Sequence, residues 1–203
     1  MREKLDSYAH DTVVWIYKDI QRTSLVDNIV KSYIDLTRSP EIKKLELRTE
    51  QLDTETQKKI FFEMLCFASF ITSYLILKYV THRKFFKKIV DEESAHFFNN
   101  RVRHYLEEIC DSDSFSKIHD IGVTSIKPEI RVGPTEFLDS TKRLIEYAHA
   151  ASQEKGKEII NFSKNVAKFL GREHYPLFEP LSASYTKPII ELAYGAMKGV
   201  FGH

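Results

Sequence analysis

Two pairs of glutamate and histidine, three residues apart, are the residues whose types and spacing suggest chemistry. They are Glu93 with His96 and Glu146 with His149. Side chains three positions apart lie on the same face of a helix, so each pair could direct a carboxylate and an imidazole at one ion. Both groups are ligands found in iron and manganese sites. A metal site is therefore one candidate function for this chain.

The pattern resembles the ligand set of ferritin-like dimetal bundles, in which two Glu-x-x-His motifs and two further helical glutamates project inward. Glu63 stands 30 residues before Glu93, a separation that suits two neighbouring antiparallel helices. The resemblance implies a site for iron or manganese with Glu93, His96 and Glu63 among its ligands.

Helical phase decides which of these side chains can face a common interior. At about 100° per residue, Glu93 falls within the apolar arc of its helix and His96 lies at the edge of that arc. Glu146 is predicted to face solvent, and Glu63 falls on the more polar strip of its own helix. Because only one of the two motifs is predicted to face inward, metal binding ranks below a non-catalytic role. A buried Glu93 that binds no metal would need a charge partner such as Arg101.

The balance of charge excludes function classes that depend on a strong electrostatic field. Thirty basic and 29 acidic residues leave a formal net charge of +1. The chain therefore has no global attraction for nucleic acid or an anionic membrane. A basic cluster at residues 82–88 is compensated by Asp91 and Glu92, which stand four positions after Lys87 and Lys88. No nucleic-acid partner is predicted.

The two cysteines predict a reducing environment. Cys66 and Cys110 lie inside apolar helical patterns, without the spacing of metal ligands. A disulfide framework is absent from such a sequence, and no apolar run near the N-terminus predicts a secretory signal. We therefore expect a cytoplasmic protein.

One stretch, residues 60–80, is apolar enough to be compared with a membrane span. Glu63 and Lys78 reduce it to 14 uncharged residues, and crossing a bilayer takes about 20. The pattern therefore predicts a buried core helix and no transmembrane segment.

Apolar residues at three- and four-residue steps predict an all-α fold. The expected architecture is a helical bundle of about five helices, with long antiparallel helices and one long irregular connection. The predicted helices are residues 5–34, 54–80, 83–109, 135–170 and 189–201. The second begins at the capping box formed by Thr54 and Gln57, and Pro188 suits the first turn of the last.

Three segments between these helices have no firm assignment. Residues 41–52 suit either a short helix or an extended connector. Residues 111–134 form the long irregular connection, which suits packing over the bundle or a lid. The apolar face of the third helix changes direction at Asn99 and Asn100, so that helix either breaks there or packs on two sides. By domain, residues 1–171 are predicted to form the bundle, and residues 172–203 a proline-punctuated connector and a C-terminal amphipathic helix.

The last helix carries the only specific signal for a protein partner. Ile189 and Leu192 lie on its apolar side, and Gly195 and Gly199 have the small-x-x-x-small spacing that lets helix backbones approach closely. These four residues predict a helix that docks on its own bundle, on a partner or on a second copy of the chain.

The functional prediction is a non-catalytic interaction, scaffold or regulatory protein, with dimerisation through the last helix as one form. Phosphate-binding glycine loops, nucleophile elbows and zinc motifs are not found in the sequence, so no catalytic residue is assigned. The alternative is a bundle that holds a metal or senses a small apolar ligand.

Overall fold

A computed structural model of the chain describes residues 2–37, 54–79, 91–110, 139–169 and 186–201. Within these ranges every regular element is an α-helix, which confirms the predicted all-α class. The helices are α1 (Arg2–Arg22), α2 (Leu25–Thr37), α3 (Thr54–Tyr79), α4 (Glu92–Cys110), α5 (Ser140–Gln153), α6 (Lys157–Phe169) and α7 (Thr186–Phe201).

Helix α3 is the centre of the fold. Every residue from 60 to 72 is buried, and α3 contacts each of the other six described helices. A helix that is apolar all round is stable only when neighbours cover it on every side. Thr56–Leu77 is long and apolar enough to cross a membrane, but 78% of its most apolar window is buried inside the fold. The expected core helix agrees with this burial.

The first predicted helix is two helices, because the chain turns at Thr23 and Ser24. Ser24 adopts a φ of 51°, a left-handed conformation that a helix interior does not allow. The Thr23 hydroxyl donates to the Asp19 carbonyl at 2.6 Å, and the Ser24 carbonyl accepts from the amide of Asn28 at 2.9 Å. The turn therefore ends α1 and begins α2, and the prediction of one continuous helix was wrong.

The fourth predicted helix is also divided, into α5 and α6. Asp139 caps α5 by accepting from the Lys142 amide at 2.8 Å. Gly156 has a φ of +89°, which lets the chain fold back after three residues so that α6 packs against α5. The prediction of a single helix over residues 135–170 was therefore wrong. The two divisions explain why the described residues contain seven helices where about five were predicted.

Helix α4 confirms one half of its predicted pattern. It runs through Asn99 and Asn100 without a break. The second of its two predicted apolar arcs comprises Phe98, Val102, Tyr105, Leu106 and Ile109. Four of these residues are buried, and Tyr105 is partly buried. Most residues of the first arc lie at 85–90, outside the described residues, as do the segments 41–52, 111–134 and 172–185.

Helix α7 packs on α1 and α3 of its own chain. Ile189 and Leu192 are buried there. The indole of Trp15 lies over the two glycines, and a Cβ placed on Gly195 would lie 2.6 Å from Cη2 of that ring. The small residues therefore let α7 approach Trp15 of α1 within this chain.

Candidate ligand groove and buried carboxylate cluster

The residues proposed as metal ligands from the sequence are distributed over separate contacts. The side chain of Glu93 is 80% exposed, and its Oε1 lies 2.7 Å from Nη2 of Arg2. His96 is exposed as well. The prediction that Glu93 faces the interior was wrong, because the buried side of the described helix is the one that carries Phe98 and Val102.

Glu63 has the opposite placement from the one predicted. Its side chain is completely buried, although helical phase assigned it to a polar strip. Helix α3 is covered on all sides, so its more polar strip also lies inside the fold. An unpaired carboxylate in such a place would cost several kcal/mol.

Three side chains from two helices surround the Glu63 carboxylate. The hydroxyl of Tyr147 on α5 donates a hydrogen bond to Oε1, and Nδ2 of Asn165 on α6 donates to the same oxygen at 2.9 Å. Nε of Arg143 lies 3.0 Å from Oε2. That ion pair is not aligned as a hydrogen bond, and neither atom has another hydrogen-bond partner within the described residues.

The arrangement continues from Arg143 towards solvent. Its Nη1 donates to Oε2 of Glu146 at 2.6 Å, and the Glu146 side chain is 39% exposed. Glu146 was predicted to face solvent, and it lies at the partly exposed edge of this cluster. Arg143 therefore stands between one fully buried carboxylate and one carboxylate in contact with water.

Burial controls the electrostatics of the cluster. It raises the pKa of Glu63 above the ordinary 4.5, against the opposing effects of the Arg143 charge and the hydrogen bonds from Tyr147 and Asn165. Burial also raises the pKa of Tyr147 well above 10, so its hydroxyl stays a donor. The pKa of the nearby Cys66 thiol is raised by burial in the same way. A buried thiol of this kind is a poor nucleophile.

The partners of Glu63 fit a structural role better than metal binding. A hydroxyl, an amide and a guanidinium all donate towards the carboxylate, whereas a metal ion would require further electron-pair donors. Among the described residues, no group of three or more His, Cys, Asp or Glu side chains could hold a metal ion. Glu63, Glu93 and His96 are not brought together there, and exposed His149 contacts Gln153.

A groove between α3, α4 and α5 is the second candidate site. It encloses about 320 Å³, and its surface is mostly apolar. The three α4 residues that line it are all polar, and α3 and α5 each add one serine. The lining residues are Phe70, Ser73, Tyr74, Leu77, Asn99, Asn100, Arg103, Leu144, Ala148, Ala151 and Ser152.

The rings of Phe70 and Tyr74 form the aromatic wall of this groove. They are stacked with centroids 5.9 Å apart, and Phe70 also contacts Tyr147 at 5.6 Å between centroids. Tyr74 and Leu77 are each 38% exposed. Nδ2 of Asn99 donates to the carbonyl of Ser73 at 3.3 Å, which joins α4 to α3 at the groove. The Phe70 ring thus separates the open groove from the buried Glu63 cluster.

Comparison with known proteins does not assign this arrangement to a family. No family model, curated protein or solved structure matches the chain. The function must therefore be argued from the groove and the cluster themselves.

Sequence reasoning missed both features for related reasons. The groove requires residues from three helices, and only the Asn99–Asn100 change of face indicated that α4 has two surfaces to cover. The Glu63 cluster joins residues separated by 80 to 102 positions. No local spacing could have predicted that Arg143, Tyr147 and Asn165 meet at Glu63.

Proposed function

We propose that this protein is a non-catalytic binding protein that takes a small apolar ligand in the groove between α3, α4 and α5. The observation that supports it is an open, mostly apolar groove of about 320 Å³ with a few polar groups, most of them on α4. Small-molecule sites typically enclose about 300 to 1,000 Å³ and combine apolar walls with a few polar groups that orient the ligand.

The size of the groove favours a small molecule over a folded partner. Eleven of the described residues line it, whereas a stable protein interface takes roughly 20 to 30 residues on each side. The exposed faces of Tyr74 and Leu77 are apolar surface that a ligand would remove from water. A ligand that buries this surface would stabilise the native state by mass action.

The test is the binding of a neutral apolar fluorophore, N-phenyl-1-naphthylamine, to the purified chain. We expect saturable binding at one site, and loss of most of it in Ala148→Trp, because the indole would occupy the groove. Ile145→Trp is the matched control, since Ile145 is on the same helix, is 60% exposed and does not line the groove.

Two results would overturn the proposal. One is the absence of saturable binding to a wild-type chain whose helical circular dichroism shows it to be folded. The other is an equal loss of binding in both tryptophan variants, since that would place the probe outside the groove.

A protein partner is a second candidate function, favoured by the outer face of α7. Tyr194 is 51% exposed on the helix whose other side is buried against α1 and α3. We infer that a second copy of the chain would dock on this face. Tyr194→Glu should then convert a dimer to a monomer in sedimentation equilibrium, while Lys187→Gln, an exposed change on the same helix, should not. A monomeric wild-type chain would exclude this form.

We also infer a reducing compartment. Cys66 and Cys110 are both buried and unpaired, as expected for a chain that does not depend on disulfides. Lysis of cells directly into denaturant that contains a thiol-alkylating reagent, followed by mass spectrometry, should find both thiols free, and oxidised cysteines would overturn this inference.

A further inference from the structure

The geometry points to a ligand that carries a carboxylate on an apolar body, with the carboxylate at Arg103. This inference rests on the proposed function and names the chemistry of its ligand. Arg103 is the single charged residue among the described residues that line the groove, and it lies on the polar α4 side. Opposite it, Leu144, Ala148 and Ala151 supply apolar walls.

The contacts of Arg103 leave it suited to an anion. Its side chain is 50% exposed, and its Nε lies 3.8 Å from Oε1 of Glu107, longer than a hydrogen bond. Glu107 Oε1 already accepts a hydrogen bond from Thr141 on α5. Asn100 stands three residues before Arg103, on the same side of α4, where its amide can donate to the same anion. A carboxylate here would meet a guanidinium and an amide, both of which donate.

The apolar walls of the groove determine which apolar body the ligand can have. The stacked rings of Phe70 and Tyr74 suit either an aliphatic chain or a flat aromatic ring. A fatty acid and an aromatic acid therefore share the required chemistry. Because acidic residues are not among the described lining residues, a cationic amphiphile would meet the Arg103 charge without compensation.

The experiment is displacement of N-phenyl-1-naphthylamine by matched pairs, decanoate with 1-decanol and 2-naphthoate with 2-naphthol. We expect at least one carboxylate to displace the probe at roughly tenfold lower concentration than its neutral partner. The pair that shows the preference identifies the aliphatic or the aromatic source. Arg103→Gln should remove this preference, measured as the ratio of the acid and neutral displacing concentrations in that variant, because any change in affinity for the probe cancels in the ratio. Glu107→Gln should strengthen it, because a competing carboxylate is removed.

The outcomes separate this inference from the proposed function. If the probe binds in the groove but each acid and its neutral partner compete equally, the carboxylate inference fails and the groove remains a binding site. Lys142 is an exposed cation on α5 that does not line the groove, so Lys142→Gln is the matched control. If it removes the preference as fully as Arg103→Gln does, Arg103 is not the specific contact. Failure of the probe to bind at all would overturn both.

Discussion

Two clusters in this molecule contain the same three functional groups and differ in their burial. In one, Glu63 meets Arg143 and Tyr147 inside the fold, with Glu63 fully buried and Arg143 16% exposed. In the other, Asp6 on α1 meets Arg101 and Tyr105 on α4, with the acid and the guanidinium 36% and 30% exposed.

The geometry of the outer cluster is at least as favourable. Arg101 makes an ion pair with Asp6 through Nε and donates from Nη2 to the Tyr105 hydroxyl at 3.1 Å. That hydroxyl donates to Asp6 at 2.9 Å, and the guanidinium lies 4.8 Å from the centre of the Tyr105 ring. Each group is therefore bonded to the other two.

The two acids nevertheless shift in opposite directions. Burial works to raise the pKa of Asp6, but hydrogen bonds from Arg101 and Tyr105 outweigh it, and the pKa lies below the ordinary 3.8. At Glu63 burial prevails, and the pKa lies above its ordinary value. Similar partners favour the charged form of both acids. They outweigh the cost of removing the carboxylate from water only at Asp6, where that removal is incomplete.

The largest effect should come from removing the guanidinium of the inner cluster. Arg143→Met leaves the Glu63 carboxylate buried with two neutral donors, and we expect a loss of about 3 kcal/mol in the free energy of unfolding. Arg101→Met, the matched change at the outer cluster, should cost less than about 1 kcal/mol, because exposed ion pairs contribute little. Urea unfolding of both variants and the wild type measures the difference, and equal losses would contradict the comparison.

A smaller effect is expected from the two tyrosine hydroxyls. Tyr147→Phe removes the donor to Glu63 Oε1 inside the fold, and we expect a loss of about 2 kcal/mol. Tyr105→Phe should cost less than about 1 kcal/mol, because water can replace the lost donor at the partly exposed Asp6. Both variants keep the ring, so a larger loss at Tyr105 in urea unfolding would show that exposure does not control the strength of these bonds.

The sequence predicted the elements that depend on local spacing. The start of α3 at Thr54 follows from its capping box, and the buried side of α4 follows from the steps between Phe98, Val102 and Leu106. The turns at Ser24 and Gly156 were not predicted, because the apolar residues on both sides of each turn keep the spacing of a helix. The positive φ of Ser24 cannot be recognised from its residue type.

The candidate site could not be predicted in the same way. Helical phase predicts whether a side chain is buried only when one face of the helix is exposed to solvent. Helix α3 has no such face over residues 60–72, because all of them are buried. Glu63 was therefore placed wrongly by an argument that is sound for an amphipathic helix. Its partners come from α5 and α6, and the groove from three helices, so both depend on packing that spacing along the chain does not encode.

The smallest effect, and the one that separates the clusters most directly, is the dependence of stability on pH. Because the folded pKa of Glu63 is raised, its protonated form is favoured by folding. The contribution of Glu63 to stability is complete below 4.5 and is lost as pH rises through the folded value. Wild-type stability should therefore fall relative to Glu63→Gln as pH rises, since the amide keeps the shape but does not titrate.

Asp6 should give the opposite slope. Its folded pKa is lowered, so its contribution is present above 3.8 and is lost as pH falls through the folded value. Wild-type stability should therefore fall relative to Asp6→Asn towards acid, with a small amplitude because the group is partly exposed. Unfolding in urea between acid and neutral pH measures both differences. Slopes of the same sign would mean that burial does not decide between these clusters, and that the Arg143 charge keeps Glu63 ionised as Arg101 keeps Asp6.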